Sequence, residues 1–236
     1  MLIESGELQP GSPISVRTLA ERLEMSTLPV SSALQSLVRE GLVVSRNRSG
    51  SSIAVITPQD IWNTVQYRLA MEQRGAWLAC RLATSEELSY LQTLAPKADG
   101  EGILSKHELV DADDRFHQAL QQCSHTPGLF LPPSYLRIFQ LKLMMCSGLQ
   151  LFPEYAPNGE RQYASGHRLI AEVAATRNVE RLNALQEIHI CRLIGLPELA
   201  SLQENANEKI KEIRMFLSRN TSSRQTEAAN KDMIFT

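Results

Sequence analysis

Asp113 and His117 stand four residues apart in a segment of helical periodicity, so they share one helix face. That face is otherwise apolar, with Leu109, Val110, Phe116 and Leu120 beside them. His167 shares its face with Ala164, Ile170, Ala171 and Ala174, and His189 with Leu182, Leu185, Leu193 and Leu196. One carboxylate and three imidazoles would therefore point from three helices into one bundle interior. Buried ionisable groups are costly unless they are paired or bound to a metal. One divalent cation held by three nitrogens and one oxygen would satisfy all four, and this donor set suits Zn, Ni, Mn or Fe without choosing among them. Taken singly, each histidine also reads as a hydrogen-bonded core residue. Asp114 is a competing carboxylate, three residues from His117, while His107 and His125 read as surface or loop residues.

A cation with four protein ligands of this kind keeps open positions. In a hydrolase they would carry an activated water. No HExxH-like spacing supplies a general base here, and no nucleophile motif is present, so an enzyme is not expected. The open positions better suit the carboxylate of a small organic acid. Arg68 is a candidate second anchor for such an acid, because guanidinium grips carboxylates in a bidentate manner. The alternative for Arg68 is a salt bridge to Glu72, its i+4 neighbour.

The elements that must hold these groups follow from length and pattern. The chain has 236 residues, 43% hydrophobic and 21% charged, a globular composition with room for two domains. Its formal net charge is −2, so a DNA-binding surface would have to be local. Cys80, Cys123, Cys146 and Cys191 are scattered, with no CxxC pair, and read as reduced residues. Neither a leader nor a membrane span is legible, and a cytoplasmic protein is the expectation.

Texture changes near Thr57-Pro58. Before it, a short helix capped by Ser15, a second capped by Ser26 or Thr27 and ended by Gly41, and two β-rich runs (42–44 and 53–56) follow one another. Arg46 to Gly50 reads as the hairpin tip between those runs. Helix, turn, helix, hairpin is the order of a winged helix-turn-helix. After Pro58 the pattern is all helical, with a capping box at Thr84 and Glu87. The expected fold is mainly α: an N-terminal winged helix-turn-helix over 1–57, an all-α antiparallel bundle over 58–218, and a polar, disordered tail over 219–236.

The run Ile3–Gly11, then Leu19-Ala20, Ser26, Pro29-Val30, Ala33-Leu34, Leu37 and Glu40–Val43, resembles the DNA-binding domain of GntR-type bacterial regulators. Arg68 and Glu72, Asp113-x-x-Phe116-His117, His167 and His189 resemble the effector-binding helical domain of the FadR subfamily, the FCD type. The resemblance covers about residues 3 to 215. It implies a homodimeric transcriptional regulator that binds palindromic double-stranded operator DNA. It also implies a metal-assisted organic-acid effector site, with Asp113, His117, His167 and His189 as the metal ligands. The family normally has a full helix before Ile3 to Gly6, so a truncated or unusual start is expected.

The recognition helix would present Ser26, Thr27, Leu28, Ser31 and Ser32 to base edges. The family usually carries arginine at the positions of Thr27 and Ser31. Arg17 matches a family arginine that touches DNA. Arg46 and Arg48 would reach phosphate or the minor groove from the wing, and Gly50 would allow its tight turn. Residues 1–58 hold five basic and five acidic side chains, which is poor for phosphate neutralisation. Two rival readings follow: a degenerate regulator that binds metal or metabolite but DNA only weakly, and a metal-dependent hydrolase or lyase.

Overall fold

The computed structural model describes residues 2–3, 6–46, 50–99, 101–102, 106–129, 135–146, 166–191 and 205–220. It divides into two compact units, one made of the first 64 residues with helix α6 (Tyr135–Met145), the other of the remainder.

In the first unit, α1 (Val16–Arg22) starts at Ser15, whose hydroxyl accepts from the Thr18 N–H. Helix α2 (Thr27–Arg39) starts after Ser26 in extended backbone, and the Ser26 side chain makes no cap bond. Gly41 follows its C-cap at φ +75, the left-handed conformation that glycine adopts without strain. Ala20, Val30 and Leu34 turn inward, as the helical spacing requires.

Strands β1 (Pro13–Ile14), β2 (Val43–Arg46) and β3 (Gly50–Ile53) form an antiparallel sheet in the order β1-β3-β2. Two expectations shift here. The second β-rich run is expected at 53–56 but the strand is Gly50–Ile53. The ladder ends at the pair Val43↔Ile53, and beyond it Ala54 donates to the Leu42 carbonyl. Arg46 and Gly50, expected in the hairpin tip, are instead the outermost pair of the ladder. Strand β1 escapes sequence reading because two residues, one of them proline, carry no strand signal.

Helix α6, expected in the bundle, groups by compactness with the winged unit. Phe139, Leu141, Leu143 and Met145 are buried. A Cβ placed on Gly41 would come 3.4 Å from Lys142 Nζ, so α6 lies against the end of α2.

Helix α3 (Pro58–Leu82) begins in the first unit and continues unbroken into the second. Thr57 and Asp60 cap each other at its start, with Thr57 N–H to Asp60 Oδ2 at 2.9 Å. Helix α4 (Ser85–Ala98) opens on the expected capping box of Thr84 and Glu87. Helices α5 (Lys106–Gln122), α7 (Gly166–Ala175), α8 (Val179–Cys191) and α9 (205–220) complete the described part. The core joins Leu91, Phe116, Leu120, Ile170 and Leu182. Arg177, at φ +58 between α7 and α8, donates to the Cys80 and Ala83 carbonyls at the end of α3. That contact fixes the α7–α8 turn, and with it the register of His167 and His189.

The mainly helical class with a small winged sheet is as expected. Helical backbone reaches residue 220, into the expected tail; residues 221–236, and the helical stretches expected within 147–165 and 192–204, lie outside the described residues. Among the described residues, no helix is long and apolar enough to cross a membrane.

Candidate metal centre

Four sequence-distant donors converge in the second unit. One ligand atom each from Asp113, His117, His167 and His189 lies within 4.8 Å of the other three. Asp113 Oδ1 is 3.0 Å from His167 Nε2 and 3.8 Å from His117 Nε2. His117 Nε2 is 3.2 Å from His189 Nε2. Donors bound at about 2.1 Å to one ion lie roughly 3–4 Å apart, so these separations match a shared cation. Helix α5 supplies Asp113 and His117 from one face, α7 supplies His167 from its first turn, and α8 supplies His189 from its last.

One further observation fits a cation: His167 Nε2 is buried and completes no hydrogen bond, although Asp113 Oδ1 stands 3.0 Å away.

The outer nitrogens of two rings meet carboxylates. Glu72 Oε2 lies 3.2 Å from His117 Nδ1, and Asp99 Oδ1 lies 3.0 Å from His167 Nδ1. The Asp99 contact favours the tautomer of His167 with the proton on Nδ1, which leaves Nε2 free to ligate. The third ring, His189, has its Nδ1 against Gly166, where a Cβ would sit 2.9 Å away.

The electrostatics follow from burial set against these neighbours. Burial raises the Glu72 carboxyl, but Arg68 and His117 outweigh it and lower it to about 2. Burial likewise resists ionisation of Asp113, and the His167 contact with the three imidazoles holds its carboxyl well below the usual range. His167 is pushed down by burial yet ends up raised to about 9 through Asp113 and Asp99. Burial and the neighbouring cationic rings push His189 well below the ordinary imidazole value, toward the neutral form that ligates.

Of the two readings of Arg68, the structure holds the salt bridge to Glu72. Its Nε pairs with Glu72, and its Nη2 lies 3.5 Å from His117 Nε2. The guanidinium therefore borders the cluster. Asp114 is not among the converging donors, and His125 pairs with Glu87 at 3.0 Å on the surface. Of His107 only the backbone, within α5, is described.

Sequence reading passed over Asp99, Glu72 as a partner of His117, and Gly166. Asp99 left one trace: it is an acid at the C-cap of α4, where the helix dipole disfavours negative charge. Gly166 left none.

Of the DNA-binding candidates, Arg17 lies in the first turn of α1, with its side chain 86% exposed and paired with Glu21 four residues on. Ser26 and Thr27 open α2, Ser31 lies one turn in, and Leu28 is 79% exposed. Gly50 has φ +79. The Arg46 side chain and all of Arg48 lie outside the described residues.

Comparison with known proteins bears on both units. Residues 1–53 match the model of bacterial regulatory proteins, gntR family, and residues 63–192 match the FCD domain. The Nta operon transcriptional regulator of Aminobacter aminovorans is 29% identical over 125 residues, which is 53% of this chain and 60% of that one. The HTH-type transcriptional repressor RspR of Escherichia coli is 28% identical over 116 residues, 49% of this chain and 51% of that one. The matched stretch thus spans between half and three-fifths of these relatives. A crystal structure of a GntR transcriptional regulator from Rhodococcus sp. RHA1 superposes with a TM-score of 0.54 at 18% identity, over 89% of this chain and 92% of that one, and attests the fold.

Proposed function

We propose how this chain, which belongs to the gntR family of bacterial regulatory proteins and carries an FCD domain as its second part, does its work: it is a DNA-binding transcriptional regulator whose hold on an operator is set by a small organic acid at a divalent metal. The observation that carries the reading is the convergence of Asp113, His117, His167 and His189 beside a buried arginine.

When bound, the cation would supply Lewis acidity and open positions for a carboxylate. The chain's own groups do the rest. Asp113 and the three imidazoles hold the ion, and Glu72 and Asp99 orient two of the rings. Arg68 offers N–H donors at the rim and selects for anions. The surrounding apolar residues, Phe116 and Ile170 among them, exclude water and strengthen every charge contact inside. Helix α3 carries Arg68 and Glu72, so a ligand that moves Arg68 acts on the helix that follows the winged segment in the chain. The chain acts as a homodimer on a palindrome, in the cytoplasm.

The zero charge balance of residues 1–58 and the exposed Leu28 at the head of α2 favour one second reading, a regulator that binds metal and metabolite but grips DNA weakly. Selection of genomic fragments by the purified protein across a salt series decides between them. Enrichment of one palindromic site, with affinity falling steeply with salt, supports the regulator. No enrichment at any salt, together with retained metal, supports the weak binder.

A further inference from the structure

Asp99 meets the start of α7 through three contacts. It is the C-cap of α4 and is buried. Its Oδ1 accepts from the His167 backbone N–H at 2.9 Å and stands 3.0 Å from His167 Nδ1. Its Oδ2 accepts from the Arg168 backbone N–H at 3.1 Å. A second, exposed tie runs alongside, from Arg168 to Glu101.

The first N–H groups of a helix have no partner within it. Asp99 satisfies two of those of α7 from a different helix, 68 and 69 positions away in the chain. The negative charge also suits the positive end of the α7 dipole, which is what makes an otherwise disfavoured acid at the end of α4 tolerable. The same carboxylate faces the outer nitrogen of the His167 ring. One side chain therefore fixes both the backbone position of His167 and the rotation of its imidazole.

We infer that Asp99 is the positioning residue of the metal centre, coupling metal loading to the docking of α7 on α4 through His167. The inference rests on the reading of the four donors as a metal site. Its consequence is reciprocal. An ion held by His167 Nε2 tightens the contact between Asp99 and Nδ1, and so strengthens the α4–α7 junction. Loss of Asp99 loosens His167 in both backbone and ring. Glu72 stands in a similar relation to His117, but it lies on α3 and touches only the ring.

The test compares the full-length wild type with Asp99→Asn, Asp99→Ala and Asp99→Glu, each also in a His167→Ala background. Co²⁺ and Zn²⁺ alone are the probes, with affinity read by chelator competition. The Co²⁺ visible spectrum reports ligand geometry, and the melting temperature without metal reports the cap. Asp99→Asn retains an acceptor for one of the two α7 N–H groups. It should melt between the wild type and Asp99→Ala yet bind metal about 10- to 100-fold more weakly, with an altered Co²⁺ spectrum. Asp99→Ala should lose both affinity and melting temperature, and Asp99→Glu should recover part of the affinity. In the His167→Ala background, Asp99→Ala should lower the melting temperature but change metal affinity no further. Unchanged metal affinity and spectrum in Asp99→Asn and Asp99→Ala, with the wild type binding normally, would overturn the inference and leave the metal site standing. A wild type that binds neither ion would overturn both.

Discussion

Glu72 Oε2 lies 3.2 Å from His117 Nδ1, and Glu72 is itself held by Arg68 one turn earlier on the same helix. A chain of three side chains thus runs from a buried guanidinium through a carboxylate to the imidazole of a candidate metal ligand. Glu72→Gln should weaken metal binding by about 10- to 100-fold, since partners of this kind tune ligand basicity and orientation. Chelator competition with Zn²⁺ measures it, and an unchanged affinity would mean that the Glu72–His117 contact does not support the site.

Gly166, the first residue of α7, lies against His189. A Cβ there would meet His189 Nδ1 at 2.9 Å, with the ring held among buried neighbours. Gly166→Ala should cost roughly 1–3 kcal/mol from overpacking, and metal affinity should fall with it because the ring must turn. Denaturant unfolding and metal titration of the variant read the two effects. A stable variant with wild-type affinity would show that the contact yields freely.

Acid should loosen the start of α4. The Glu87 carboxyl is held below its ordinary value by the Thr84 backbone N–H first and by His125 second. A depressed native value stabilises the fold above the unfolded value of 4.5, and that contribution is lost as pH falls through the native one. Glu87→Gln should therefore flatten the stability profile on the acid side of about pH 5. Thr84→Ala should cost about 1 kcal/mol at neutral pH. Equal acid sensitivity in wild type and Glu87→Gln would remove Glu87 from the account.

At the DNA end, the head of α2 offers hydroxyls and an exposed leucine, which suit thymine methyl groups better than guanine. Thr27→Arg with Ser31→Arg should move the preferred operator toward guanine, by about 1–3 kcal/mol of discrimination for each good pair. Arg17→Ala should weaken binding evenly across sequences and reduce the salt slope by about one. Selected-fragment sequencing for the first and salt titration for the second check these outcomes. A substituted helix that keeps the wild-type site would place base reading elsewhere.

Much of this was legible before any coordinates. Asp113 and His117 were visible because a four-residue spacing on an apolar helix is a local signal. His167 and His189 were visible because an imidazole on an aliphatic face is conspicuous. Arg68 reads from sequence either as an effector anchor or as the partner of Glu72, and the structure holds the salt bridge, with Nη2 3.5 Å from His117 Nε2. Asp99 and Gly166 were not legible, since each matters only through a residue from a distant helix. The strand shift from 53–56 to Gly50–Ile53 has the same origin. The β-branched run marks burial, whereas the ladder is limited by where the partner strand begins.

The most direct test of the central claim is operator affinity measured on one selected fragment, with the protein metal-loaded, stripped by chelator, and loaded in the presence of a panel of short mono-, di- and tricarboxylates. The account predicts that at least one acid changes affinity of the loaded protein by about 5- to 150-fold, and that the response is lost in the stripped protein and in His117→Ala. Equal affinity in every state, with His117→Ala indistinguishable from wild type, would contradict it.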